Sequence, residues 1–160
     1  MRLSVEKIIL IKAKHRQVYL HVSALVLLTT GVSKLIMLTG TTDMLGQFDP
    51  ITGMPFKFLL IIAGVAEVLV AAYIFFVGNQ RISLVLIALM SSAFVFYRLA
   101  FRMTGWTKPC HCLGNLTDVF RISPSVVDLI SILMLVILFA GSYSYLLQDF
   151  YQSKPNVFNT

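Results

Sequence analysis

The sequence predicts an all-α integral membrane protein, a bundle of four transmembrane helices with both termini on the inner side (N-in/C-in). Three observations lead to this fold class. Hydrophobic residues make up 58% of the 160 residues and charged residues only 12%, whereas soluble domains are roughly half apolar and a quarter charged. The apolar residues form four runs of about 20 residues, the length that a hydrocarbon core of roughly 30 Å requires. Turn-forming residues separate these runs. The chain length fits one domain and leaves no room for a separate soluble domain, so residues 1–160 are predicted to form a single membrane domain.

The four helices are predicted at residues of about 18–40, 58–78, 82–102 and 124–147. The first run exceeds the roughly 7 to 15 residues of a signal-peptide core, so it should be a retained helix. A short polar segment, residues 78–81, makes the second and third helices a tight hairpin. Ser123 as N-cap and Pro124 at the first helical position define the start of the fourth helix. The longest connection, at about 103–123, contains both cysteines.

The distribution of Lys and Arg predicts the orientation, because cytoplasmic flanks carry the excess of these residues. With the N-terminus inside, the inner side holds Arg2, Lys7, Lys12, Lys14, Arg16, Arg81 and Lys154. The outer side then holds Lys57, Arg102, Lys108 and Arg121. The net charge of +6 therefore indicates topology, and the expected partner is the lipid bilayer, with no nucleic acid. In a bacterial inner membrane the cysteine connection would face the oxidising periplasm.

The candidate catalytic residues are the two cysteines of the motif Lys108-Pro109-Cys110-His111-Cys112-Leu113-Gly114. Because one residue separates Cys110 from Cys112, a disulfide between them would close a small, strained ring, and strain makes a disulfide easier to reduce. Such a ring would also contribute little stability. Basic neighbours, including His111, favour the reactive thiolate, and Pro109 and Gly114 give the loop a defined shape. The spacing therefore favours a redox-active pair.

Two other interpretations of the cysteines stay open. They could be an inert disulfide or free thiols. They could also bind a soft metal ion such as copper(I), with His111 and Met103 as further ligands. A structural zinc site would need about four good ligands, which this chain does not offer, so no metal is assigned.

Four ionisable residues lie inside the predicted spans: Lys34, Glu67, Arg98 and Asp128. Charges in lipid are costly and usually face the bundle interior or mark function. Their distances along the helices place all four in the outer half, under the cysteine loop, and suggest that Lys34 pairs with Glu67 and Arg98 with Asp128. The pairs could serve the thiol site or only fix helix packing. Asp128 could also belong to a capping box with Ser125.

Two further groups have structural interpretations. Small residues should allow close helix contacts: Gly31, Ala63, Gly64, Ala71 and Ala72. Aromatic residues near the predicted helix ends should lie in the interfacial belt: Tyr19, Tyr97 and Trp106.

The chain resembles the MauE/DoxX family of small redox-associated membrane proteins. The resemblance rests on Gly31-Val32-Ser33-Lys34-Leu35, on Glu67 and on Cys110-His111-Cys112-Leu113-Gly114. It implies a four-helix inner-membrane bundle associated with thiol and disulfide exchange outside the cytoplasm. MauE is tied to maturation of the disulfide-rich small subunit of methylamine dehydrogenase, and this chain need not share that client.

The resulting hypothesis is a thiol/disulfide oxidoreductase component that serves a periplasmic thioredoxin-like or disulfide-containing client protein. No cofactor is assigned. Quinone is a candidate redox ligand beneath the loop, but larger quinone-reducing bundles use two cysteine pairs and this chain has one, so quinone would have to take electrons directly from Cys110 or Cys112. The alternative is a non-catalytic membrane subunit or scaffold of a respiratory or transport complex, with incidental cysteines.

Overall fold

The computed structural model describes residues 2–39, 43–105 and 124–152, and these form an all-helical bundle, as predicted. The helices are α1 (Arg2–Met37), α2 (Phe56–Phe76), α3 (Gln80–Met103) and α4 (Pro124–Gln152), and a single 3₁₀ turn covers Asp43–Gly46. All four helices are long and apolar enough to cross a membrane.

The helix ends differ from the apolar runs, most of all in α1. This helix begins at Arg2 rather than near residue 18. Its 36 residues correspond to about 54 Å, well beyond a hydrocarbon core of roughly 30 Å. The part that can span the membrane is Lys14–Met37. An apolar run marks where a helix meets lipid, whereas backbone hydrogen bonds continue the helix into polar sequence.

The predicted tight turn between α2 and α3 is present. Gly78 adopts a left-handed conformation with φ of 68°, which glycine accepts without a Cβ clash. Asn79 caps α3, because its side-chain oxygen accepts a hydrogen bond from the Ile82 amide at 3.4 Å.

The bundle consists of two hairpins, since α1 packs mainly on α2 and α3 mainly on α4. We call distal the end of the bundle where α1 and α3 end and α2 and α4 begin, and proximal the opposite end. The buried apolar core lies mostly toward the proximal end: Leu20, Ala24, Leu27, Val70, Ala71, Ile74, Leu84, Ile87 and Leu138. The buried ion pairs described below lie toward the distal end.

Two bonds at the proximal end join α1 to α4. Arg16 forms an ion pair with Asp149 at 3.0 Å, and the Tyr19 hydroxyl donates a hydrogen bond to the Leu138 carbonyl at 2.8 Å. Gly141 allows this approach, because a Cβ there would lie 2.5 Å from the Tyr19 ring. Tyr19 therefore packs between helices; it lies in the middle of α1, near the start of the part that can cross the membrane.

Candidate functional site

The candidate thiol site belongs to the connection between α3 and α4. Its named residues lie outside the described residues: Pro109, Cys110, His111, Cys112 and Gly114. The structure describes the points where this connection leaves and enters the bundle. The α3 helix ends at Met103 and is followed by Gly105, whose φ is 68°, and α4 begins at Pro124, as the sequence predicts.

The connections that follow α1 and α3 both start from the distal end. Asp49, in the connection between α1 and α2, accepts a hydrogen bond from the Tyr97 hydroxyl of α3 at 2.8 Å. The rings of Phe56 and Phe101 also meet there, with 6.4 Å between their centroids. These contacts bring the first connection to the part of α3 from which the cysteine connection departs.

The first predicted ion pair is present between α1 and α2. Lys34 Nζ donates to Glu67 Oε1, and both residues are buried, with 6% and 2% of their surfaces exposed. The Phe94 ring of α3 covers the ammonium group, with 4.8 Å from Nζ to the ring centroid, a cation–π contact. Glu67 Oε2 is buried and has no hydrogen-bond partner among the described residues. The pair is thus enclosed by three helices.

Two glycines one turn before these charges bring α1 and α2 together. A Cβ at Gly31 would lie 2.9 Å from the Gly64 carbonyl oxygen and 3.0 Å from Glu67 Cβ, and a Cβ at Gly64 would lie 3.1 Å from the Gly31 carbonyl oxygen. The expected close contact is confirmed at both positions. Because Lys34 and Glu67 follow by one turn, this backbone approach also sets the distance between their side chains.

The second predicted pair is present between α3 and α4. Arg98 Nη2 donates to Asp128 Oδ1, and the same guanidinium donates to Ser131 Oγ at 2.6 Å and lies 3.5 Å from the Asp128 carbonyl oxygen. The Asp128 side chain is 33% exposed, so this pair is more open than the first. Arg98 therefore holds the first turns of α4, which receive the chain from the cysteine connection. The capping-box alternative for Asp128 stays untested, because the Ser125 side chain is not among those described.

The four charged residues form two pairs that α3 connects. Phe94 contacts the first pair, and Arg98, four residues later on α3, belongs to the second. The rise between them is about 6 Å.

Asp49 is a site residue that sequence reasoning missed. It is buried, and its carboxylate accepts three hydrogen bonds: from the Tyr97 hydroxyl, and at 2.8 Å each from the Thr52 amide and the Thr52 hydroxyl. The sequence carries a signal for part of this arrangement, since an Asp followed by Thr three residues later can form a local side-chain to backbone turn. The sequence gives no signal for the long-range partner, Tyr97, which its position alone predicts to be an interfacial residue.

The described residues add no support for a metal site. Among the described residues, no three His, Cys, Asp or Glu side chains converge on one point. Of the four ligands considered for copper(I), only Met103 is described, and its side chain is exposed.

Fold and site together define a multi-pass α-helical membrane protein in which Lys34 pairs with Glu67 and Arg98 with Asp128 between helices. Within this class the chain belongs to a known family, because it matches the family described as methylamine utilisation protein MauE over residues 17–147. The matched range covers most of each membrane-crossing helix and all of the cysteine connection. It supports the MauE part of the predicted resemblance, and the DoxX part is not supported. No curated protein and no solved structure matches the chain.

Proposed function

We propose that this MauE-family protein supports thiol/disulfide exchange, with Cys110 and Cys112 as the reacting pair. The observation that carries the proposal is the placement of Cys110-His111-Cys112 in the connection between α3 and α4, whose two flanking helices are joined by Arg98 and Asp128. Membership of the MauE family supports it, because the resemblance implies an association with thiol and disulfide exchange outside the cytoplasm. The strained ring that a disulfide across one intervening residue would form also supports it.

The reaction is a two-step exchange with a partner protein that carries two thiols. A partner thiolate attacks one sulfur of the Cys110–Cys112 disulfide, which breaks the bond and forms a mixed disulfide. The second partner thiolate then attacks the mixed disulfide, so the partner is oxidised to a disulfide and Cys110 and Cys112 are reduced by two electrons. Two protons pass from the partner thiols to the two cysteines. A second disulfide-containing protein restores the pair by the reverse exchange.

The ion pairs hold the helices that present this connection. Arg98 bonds to Asp128 and Ser131 and so fixes where α4 starts relative to α3. Lys34 and Glu67 join α1 to α2 at the same half of the bundle and reach α3 through Phe94. Both pairs act on the geometry and the local charge of the thiol site, because buried charges interact more strongly than exposed ones.

The proposed location is the inner membrane of a bacterium, with N-in/C-in topology and the distal end facing the periplasm. Such an environment favours disulfide chemistry. The client would be a thioredoxin-like or disulfide-containing protein on that side.

Trapping tests the exchange. A Cys110→Ser or Cys112→Ser variant retains one thiol, which can attack the disulfide of the partner that restores the pair but cannot resolve the resulting mixed disulfide, so one of the two variants should accumulate a covalent adduct on non-reducing gels. The double variant is the matched control and should form none. Absence of an adduct from both single variants under oxidising conditions would contradict the proposal.

A non-catalytic membrane subunit is the competing function, and one observation favours it: the charged side chains are engaged in contacts between helices. Glu67→Gln separates the two functions, because it keeps the shape and removes the charge. Slower exchange by correctly inserted protein supports a role of the pair in thiol chemistry. Unchanged exchange would confine Glu67 to packing.

A further inference from the structure

The connection between α1 and α2 contains a compact loop, residues 47–56, which we call the distal loop. Phe48 and Pro55 pair in an antiparallel bridge. The Asp49 amide donates to the Met54 carbonyl at 2.8 Å, and the Phe56 amide donates to the Gln47 carbonyl at 3.0 Å. Several backbone groups of the loop are therefore paired within the loop, which lowers the cost of moving them out of water.

The charged group of the distal loop is turned inward. Asp49 is 1% exposed, and one of its oxygens accepts from Tyr97 while the other accepts twice from Thr52. Burial of a carboxylate is costly unless hydrogen bonds satisfy it. The arrangement removes the negative charge from the outer surface of the loop and bonds the loop to α3.

The bond to Tyr97 also defines the depth of the loop. Tyr97 precedes the end of α3 at Met103 by six residues, which corresponds to about 9 Å of helix. Helical side chains lean toward the N-terminus of their helix, so the Tyr97 hydroxyl lies no closer to the distal end than its own backbone. Asp49 and the part of the distal loop around it therefore lie alongside the last turns of α3.

Three large apolar side chains lie on the outer surface of the distal loop, beside the exposed Thr52. Phe48, Ile51 and Met54 are 66%, 37% and 51% exposed. The adjacent Lys57 is also exposed, and a cation at this position suits lipid phosphate, because lysine side chains extend toward the head groups. The apolar surface and its depth beside α3 fit the boundary between head groups and acyl chains.

We propose that the distal loop is inserted into the lipid interface, with Phe48, Ile51 and Met54 in contact with acyl chains, and that the bond between Asp49 and Tyr97 sets its depth. The lipid surface is favoured over a protein partner because Asp49 anchors the loop beside the last turns of α3, within a helix that is long and apolar enough to cross the membrane. This inference does not depend on the thiol chemistry.

Tryptophan fluorescence tests the insertion. In a Trp106→Phe background, Phe48→Trp places one tryptophan on the loop, and Leu69→Trp, at an exposed position within α2, is the matched lipid-facing control. Each variant is reconstituted in phosphatidylcholine and phosphatidylglycerol vesicles with and without brominated acyl chains. We expect brominated lipid to remove most of the emission of both variants and aqueous acrylamide to remove little. Met54→Trp provides an independent position if Phe48→Trp does not fold.

Strong quenching by acrylamide together with none by brominated lipid would overturn the insertion and indicate a water-facing surface suited to a protein. Tyr97→Phe tests the bond that sets the depth, because it leaves Asp49 without its partner on α3. In the Phe48→Trp protein this change should weaken quenching by brominated lipid and strengthen quenching by acrylamide. Unchanged quenching would refute the role of Tyr97.

Discussion

The two hairpins each contain an ion pair, but they hold it in different ways. Between α1 and α2 the pair is buried on both sides, and its geometry follows from the backbone contact of Gly31 with Gly64. Between α3 and α4 the longer Arg98 side chain bridges the helices and bonds to three groups, with Asp128 partly exposed. The Lys34–Glu67 pair depends on the close contact between the two helix backbones, whereas the Arg98–Asp128 pair depends on the length of the arginine side chain.

From this difference in burial we expect the pair between α1 and α2 to be rigid and the pair between α3 and α4 to be adjustable. A fully buried pair cannot lose one member without leaving an uncompensated charge. A partly exposed pair can exchange its partner for water at lower cost. The adjustable pair lies between the two helices that the cysteine connection joins, where the proposed thiol exchange would need some freedom, and the rigid pair lies on the other hairpin.

The largest expected effect comes from breaking the buried pair. Lys34→Met leaves the Glu67 carboxylate in an apolar bundle, with Oε2 already lacking a partner among the described residues, and should cost about 3–5 kcal/mol of unfolding free energy. Lys34→Met combined with Glu67→Leu removes both charges and should recover most of the loss. Unfolding in detergent micelles, followed by circular dichroism, measures both. A double variant no more stable than Lys34→Met would refute the coupling.

A smaller effect is expected from the glycine contact that supports the buried pair. Gly31→Ala places a Cβ 2.9 Å from the Gly64 carbonyl oxygen, so the helices must separate, at a cost of about 1–3 kcal/mol. Gly46→Ala is the matched control, because a Cβ there would meet no described atom within 4 Å. The same unfolding measurement applies. Equal stability of the two variants would contradict the prediction, because it would show that α1 and α2 accommodate the added Cβ at no cost in unfolding free energy.

Much of the fold was accessible from the sequence, because lipid imposes long apolar runs on any spanning helix. The hairpin turn at Gly78 and the start of α4 at Pro124 followed from local residue preferences. The extent of α1 did not, since no apolar pattern marks where a helix continues outside the membrane. The pairing of Lys34 with Glu67 and of Arg98 with Asp128 was predictable because alternating helix directions bring residues of similar depth to the same level.

The part of the site that sequence reasoning missed depends on contacts distant in the chain. The sequence around Asp49 indicates only a turn, and the position of Tyr97 indicates only an interfacial aromatic residue. No local sequence pattern connects the two residues. Their bond joins residues 48 positions apart. The contact of Phe94 with Lys34 was likewise hidden, since an aromatic residue in an apolar span carries no pattern that distinguishes a cation–π partner from lipid contact.

The smallest expected effect comes from the adjustable pair, and it sharpens the contrast between the hairpins. Asp128→Asn removes the charge but keeps an oxygen for Arg98, and because the side chain is 33% exposed the loss should be about 1 kcal/mol, between exposed and buried pairs. The unfolding assay used for Lys34→Met measures it, with Ser131→Ala as a control that removes a neutral partner of the same guanidinium. If Asp128→Asn destabilised the protein as much as Lys34→Met, both hairpins would be equally rigid, and the proposed freedom beside the cysteine connection would be lost.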